Sequence, residues 1–364
     1  MFYRIFCLII KELQALMNNK QGRLLLITPV ILQTALFPFA ATLEVKHASI
    51  AVYNQDTGIA SRELIWRIAH TDAFERLIEV HDDATLRQKI DSQQVLLAVR
   101  FGPDFSRRIL RGDSSSMNVL LDGRRSNSAQ IANGYIIQIV NAYMADAGAQ
   151  SGSGLAVRYL YNPNLDYKWH VLPSLVATIT TIGCLIVTAL SIAREREEGT
   201  FDQLLVSPLT PAYIMAGKLV PGMLVALFQG GIIAFAAHVI YGVPFTGSLP
   251  LLFIGLICYG LALAGVGLFI SSISSTQQQA FLGVFAFMVP AVILSGYVAP
   301  IENMPLVLQG LARVNPLTYL ILIVKGCFLK GMSATAALPH LWPLVLIAAC
   351  TLSAALYLFR RHVA

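Results

Sequence analysis

The chain has 364 residues, 56% of them hydrophobic and 13% charged, with a mean hydropathy of +0.64 and a formal net charge of +6. This composition excludes an ordinary soluble domain and points to a membrane, where basic residues report topology before they report nucleic-acid binding. The five cysteines (Cys7, Cys184, Cys258, Cys327, Cys350) all lie outside 45–168, which excludes a disulfide framework in the one long polar stretch.

Residues 1–22 predict an amphipathic helix. On a 100° wheel Arg4, Cys7, Lys11, Gln14 and Asn18 share one face, while Phe2, Ile5, Phe6, Ile9, Leu13, Leu16 and Met17 fill the other. The same pattern suits a helix packed on its own protein's core; a helix lying in the cytoplasmic interface is the expectation. No small-residue cleavage site follows a short apolar core, so no removable signal peptide is expected. Residues 24–43 are uncharged, roughly 30 Å of helix, and give a first span at 23–44.

Residues 45–168 alternate between strand and helix patterns. Strands are predicted at 47–54, 76–81, 94–101, 116–123 and 155–161, and helices at 61–70, 84–92, 103–111 and from 126 to about 147. The alternation predicts a compact α/β domain. QSGSG at 150–154 reads as a turn. Asp122, Arg124, Arg125, Asn127 and Ser128 cluster at a strand-to-helix junction, where an anion site and a plain N-cap by Ser126 or Ser128 compete; the cap is favoured. His47, His70 and His81 lack metal-ligand spacing, and no G-x-S-x-G run occurs.

A second span follows at 169–193. Residues 219–301 carry no charge apart from a proton on His238, and the breaks at 242–248 and 271–279 divide 219–300 into three spans. The segment 301–330, chopped by Pro305 and Pro316, reads as short re-entrant or interfacial helices, and 341–359 as the last span before a tail at 360–364. The expected fold is thus a polytopic α-helical membrane protein of six transmembrane helices, with a large α/β domain between spans 1 and 2. Basic residues at Arg4, Lys11, Lys20 and Arg23, at Arg194, Arg196 and Lys218, and at Arg360 and Arg361 fall on one side, placing both termini in the cytoplasm and 45–168 outside. Tyr161, Tyr167 and Trp169 fit an outer aromatic belt.

Between spans 2 and 3 stands AREREEGTFDQLLVSPLTP. Arg194, Glu195, Arg196, Glu197 and Glu198 extend the second span as a solvated stalk, with Arg194 and Glu198 spaced for an i,i+4 pair. Gly199 suits the terminating position. Thr200 and Gln203 form a capping-box pattern, opening a short helix that displays Phe201, Leu204 and Leu205. Pro208 ends it, and Thr210-Pro211 restarts the chain as the third span. A short amphipathic helix at 200–206 on a charged stalk is expected to dock a partner.

This loop resembles the coupling loop of ABC-2-type transport permeases, the membrane subunits of bacterial drug-export ATPases. The likeness runs along nearly the whole chain: KEL in the first helix, YNPNLDY before the second span, ILSGYVAP after the fifth, then ENMP and NP. It is closest to the enterobacterial multidrug-efflux members, and departs from them where FDQLL replaces the common EQLL type. The resemblance implies two permease chains, as homodimer or heterodimer, each docking a cytoplasmic ABC ATPase through 200–206, in a bacterial inner membrane. Arg194, Arg196, Glu197, Glu198, Gly199, Thr200, Phe201, Gln203, Leu204 and Leu205 would form the coupling element. It further implies export through the pair's interface, often beside a periplasmic adaptor protein for which the external domain offers a platform.

The chain has no G-x-x-x-x-G-K-[ST] run, so it is read as a non-catalytic chain with no cofactor of its own; ATP and magnesium belong to the partner. Its spans contain no carboxylate of the kind an ion-coupled carrier uses. Among the few polar span residues Gln33, Thr178, Thr181 and Gln229 are candidates for the translocation path, and a charge-free path suits hydrophobic or amphipathic solutes. The competing reading is a membrane sensor whose external domain binds a ligand and signals through the same loop. Six spans fit a sensor less well than a permease.

Overall fold

The computed structural model describes residues 2–18, 20–40, 48–111, 117–122, 126–146, 166–206 and 209–363. Two compact units divide it, Met1–Ala40 with Lys168–Ala364, and Ala41–Tyr167. The chain opens with α1 (Phe2–Asn18) and α2 (Lys20–Ala40). It then enters the smaller unit.

That unit runs β1 (Ala48–Asn54), α3 (Ile59–Ala69), β2 (Phe74–Glu79), α4 (Asp83–Asp91), β3 (Leu97–Phe101), α5 (Phe105–Arg111), β4 (Met117–Leu121) and α6 (Ser126–Asp146). The sheet order is β2-β1-β3-β4, with β1 parallel to both neighbours and β4 antiparallel to β3. The period-2 alternation of the strands sends Ile50, Val52, Leu97, Val99 and Phe101 to one face, where Leu64, Ile68, Phe105, Ala132 and Ile136 cover them. Ala51 and Ala98 point the other way, under Leu86. Both faces of the central strands are therefore covered, as parallel pairing requires. Asp82 caps α4 by accepting from the Thr85 amide at 2.6 Å. The Ser106 hydroxyl donates to Asp56 and accepts from the Ala60 and Ser61 amides at the start of α3. Burial alone would raise the Asp56 carboxyl, but its bonds from Ser106, Ser61 and Gly58 outweigh it and hold the group below its ordinary value. The predicted strand at 155–161, the turn at 150–154, Tyr161, His47, Arg124 and Arg125 lie outside the described residues, as do the side chains of Ser126, Asn127 and Tyr167.

The larger unit continues with α7 (Tyr167–Glu197), α8 (Phe201–Val206), α9 (Pro211–Val239), α10 (Leu249–Ile273) and α11 (Gln277–Ile293). A 3₁₀ turn at Ile301–Asn303, α12 (Leu306–Val314), α13 (Pro316–Lys325), a π turn at Gly326–Lys330 and α14 (Ala334–Val363) complete it. Four helices, α7, α9, α10 and α14, are long and apolar enough to cross a bilayer. The pair Leu306–Val314 and Pro316–Lys330, bent by 77° at Asn315, adds a fifth if counted as one span. The apolar runs Gly22–Leu36 and Gln277–Ile293, where two of the six expected spans fall, are shorter than these. The last helix starts at Ala334 rather than 341 and carries Pro339 and Pro343 inside it, each leaving the carbonyl four residues back without its helical bond.

α7 is buried along nearly its whole apolar length, and the other helices pack around it. Close approach depends on glycine. A methyl group on Gly183 of α7 would stand 2.0 Å from the Gln229 Oε1 of α9, so only glycine leaves room for that amide. Gln229 in turn donates its Nε2 to the Leu26 carbonyl of α2 at 2.9 Å. Replacing Gly183 by Ala should therefore destabilise the chain by about 1–3 kcal/mol through overpacking. The double variant Gly183→Ala/Gln229→Ala should recover part of that loss, read as thermal unfolding of the detergent-purified protein.

Candidate coupling site

The charged turn after α7 is held by backbone geometry first. Gly199 takes a left-handed φ of 71°, and the Thr200 amide turns back to the Glu195 carbonyl at 2.9 Å, closing the helix end. α8 then runs across the space between the end of α7 and the start of α9.

The stalk is less solvated than its sequence suggests. Glu195 is buried, and its Oε1 lies 2.9 Å from Lys11 Nζ of α1 and 3.6 Å from Lys218 Nζ of α9. Lys218 is sealed from solvent and also pairs with Glu12 of α1 at 2.6 Å. Its amine donates further to the Ser191 carbonyl and hydroxyl at 3.3 and 3.2 Å. Buried Lys218, Glu12 and Glu195, with the exposed Lys11 reaching Glu195 from the rim, thus cancel their charges at the junction of α1, α7 and α9, the condition under which buried charge is tolerated. The sequence places Lys218 in a loop as a cation marking topology; in the fold Glu12 and Glu195 draw it inward. Beside the network Leu8 of α1 fills the space above Gly217.

The predicted hydroxyl cap takes another form. The Thr200 hydroxyl donates to the Glu195 carboxylate, so it supports the ion network in place of the capping box with Gln203. Among the described residues Arg194 makes no ion pair with Glu198, and its Nε is buried without a hydrogen-bond partner. Arg196 bonds the Ser274 carbonyl at 3.0 Å and stacks over the Phe201 ring, 5.0 Å from its centroid. Glu197 accepts from the Gln277 amide at 2.9 Å, tying the turn to the start of α11.

The larger correction concerns which face of α8 is free. Phe201 and Leu204 were expected to be displayed. Leu204 is buried in a cluster with Leu8, Ile192, Ile214, Met215, Leu268 and Phe359, and Phe201 meets the Phe359 ring edge-on. Their burial removes apolar surface from water and anchors α8 to the bundle. The exposed residues are Glu197, Glu198, Gly199, Asp202, Gln203 and, most openly, Val206 at 87% exposure. The side chain of Leu205 lies outside the described residues.

The four path candidates are not brought together. Thr178 and Thr181 are buried in α7, where their hydroxyls bond carbonyls of their own helix; that of Thr181 also meets the Tyr259 hydroxyl of α10. Gln33 is half-buried on α2, and Gln229 straps α2 to α9. In α1 the stripe Leu8, Glu12 and Leu16 is buried, while Tyr3, Phe6 and Met17 remain exposed, so the helix both packs on the bundle and keeps an apolar face free. The side chains of Phe2 and Arg4 lie outside the described residues.

A bundle of long apolar helices with short bent helices at one end defines a polytopic helical membrane protein. Residues 21–357 match the family described as ABC-2 family transporter protein, and the chain belongs to that family. It is 51% identical, over the whole of both chains, to the probable multidrug ABC transporter permease YbhR of Escherichia coli. It is 27% identical to the inner membrane transport permease YhhJ of the same organism, covering 99% of this chain and 97% of the relative. A third relative, the probable multidrug ABC transporter permease YbhS, is 24% identical over 90% of this chain and 89% of its own. These relationships make the chain a multi-pass permease subunit of an ABC transporter.

The buried network gives a stability test. Lys218→Met strands the Glu12 carboxylate and should cost about 3 kcal/mol, as breaking a buried ion pair does. Glu12→Leu/Lys218→Met removes both charges and should recover most of that loss in the same thermal unfolding measurement.

Proposed function

We propose that this chain is the membrane subunit of an ATP-driven exporter, moving hydrophobic and amphipathic drugs outward across a bacterial inner membrane. A separate cytoplasmic ATPase, which binds ATP and magnesium, drives it. The observation that carries the coupling assignment is the placement of α8: a six-residue helix fixed on its inner side by Leu204 and Phe201, with Asp202, Gln203 and Val206 outward. Its N-terminal end is tied through Thr200 to the Glu195 carboxylate of α7, which also faces Lys218 of α9. A helix held in this way transmits a push where a flexible loop would absorb it.

In this reading both termini and α8 face the cytoplasm. The unit at 45–168 lies outside, as a platform for a periplasmic adaptor. Six spans cross the bilayer, α2 and α11 being the two shorter ones, and the bent pair α12 and α13 re-enters from the outer side. Two permease chains pair, and the path runs between them. Gln33, half-exposed on α2, is the polar residue we assign to its lining, since Thr178 and Thr181 are bonded within the protomer. The relatives named as multidrug permeases support the substrate class.

The test separates docking from folding. Val206→Asp changes an exposed position and should leave thermal stability within about 0.5 kcal/mol. Together with Asp202→Arg it should abolish co-purification of the ATPase and ATP-dependent dye efflux. Leu204→Asp, in contrast, buries an unpaired charge and should lower stability outright. Full ATPase recovery with the Val206 and Asp202 variant would refute docking through α8.

A further inference from the structure

A groove of about 1080 Å³ lies between α1, α2, α9 and α10 in the membrane unit. Leu16 and Met17 of α1, Ile27 and Ile31 of α2, and Phe228 and Phe235 of α9 line it. Its width is set by the protein. Gln229 holds the Leu26 carbonyl at 2.9 Å, and the Tyr241 hydroxyl holds the Thr34 carbonyl at 2.7 Å, so α2 is clamped to the α9 side at two points about 12 Å apart along its axis. Between the clamps the apolar walls face a gap that side chains do not fill.

The residues of α2 just before this lining have a different chemistry. Lys20 and Arg23 lie two turns and one turn before Ile27 on α2, at spacings that put all three on one side of the helix with Ile31. Both cations are exposed, and among the described residues neither makes an ion pair. The first 43 residues contain a single acid, Glu12, and it is bound to Lys218. An apolar slot with two unneutralised cations one and two turns along α2 from its lining matches a molecule with acyl chains and an anionic head. We propose that this groove is a binding site for an anionic glycerophospholipid of the membrane, its acyl chain along Ile27, Ile31 and Phe228 and its phosphate between Lys20 and Arg23. This deepens the permease reading without depending on the direction of transport, because it requires only that the chain lie in a bilayer.

The site is tested by native mass spectrometry of the detergent-purified full chain, titrated with dioleoyl phosphatidylglycerol or dioleoyl phosphatidylcholine. The anionic lipid should bind about tenfold more tightly, the order of preference expected from two cations near a headgroup. Lys20→Gln/Arg23→Gln should bring it to the level of the zwitterionic lipid, whereas the charge-conserving Lys20→Arg/Arg23→Lys should keep the preference. Gly231 lines the groove, and a methyl group there stays 3.7 Å from Phe253, so Gly231→Leu fills the space without a backbone clash and should weaken both lipids. Equal binding of the two lipids by the unaltered chain, or a preference that survives Lys20→Gln/Arg23→Gln, would overturn the proposal. So would a Gly231→Leu variant whose lipid binding is unchanged: if it splits a dimer the groove holds a second copy, and if it blocks dye export it holds the transported solute. ATPase co-purification reads α8 separately, so failure here leaves the coupling assignment standing.

Discussion

The cytoplasmic-facing architecture proposed here depends on one buried amine. Lys218 reaches Glu12, Glu195 and Ser191 at once, and these three residues belong to the first helix and the longest helix of the bundle, while Lys218 itself belongs to α9. Charges this well shielded are expensive to bring out of water and are retained only when their partners are fixed. The network therefore sets where α1 lies, how α7 ends and where α9 begins. Thr200 extends it by one hydrogen bond into the turn that starts α8. The outward face of α8, the surface proposed for docking, is a consequence of that interior balance.

Around this junction the bundle is assembled by small residues and backbone acceptors, as expected where lipid removes any hydrophobic drive between helices. Thr188 of α7 occupies space that a side chain on Gly222 of α9 or Gly267 of α10 would take. Thr351 of α14 bonds the Ala262 carbonyl of α10 at 3.2 Å. At the far end the loop before α10 donates its Thr246 and Gly247 amides to the carbonyls of Phe328 and Cys327 in the π turn, so a segment short of regular bonds is completed by a neighbour.

Much of this was legible in the sequence because composition and period are strong signals. The long uncharged runs mark α7, α9, α10 and α14, and the alternation within 45–168 marks an α/β domain, though not the pairing of its strands. The turn at Gly199 and the proline-chopped segment 301–330 could be read from single residues with restricted backbones. What could not be read was direction in space. The wheel of residues 1–18 placed Glu12 on no polar stripe, which was the available hint that it faces inward, yet nothing local names Lys218, 206 positions later, as its partner. The same limit inverted the faces of α8: Phe201 and Leu204 look displayable until Phe359, near the other end of the chain, is brought beside them. Polar span residues are ambiguous for a related reason. Thr178 and Thr181 can satisfy their hydroxyls on their own helix, so polarity alone does not mark a path.

The contact between Glu195 and Lys218 has a topological meaning. Their side chains close the intervening chain into a ring, with α8 on its circumference, much as a disulfide would. A ring keeps its two roots together whatever happens along its arc. A backbone cut in the 207–210 segment would thus leave both stumps seated, held by Leu204 on one side and by Ile214 and Met215 on the other. Continuity of the polypeptide at that point and integrity of the permease are separate properties.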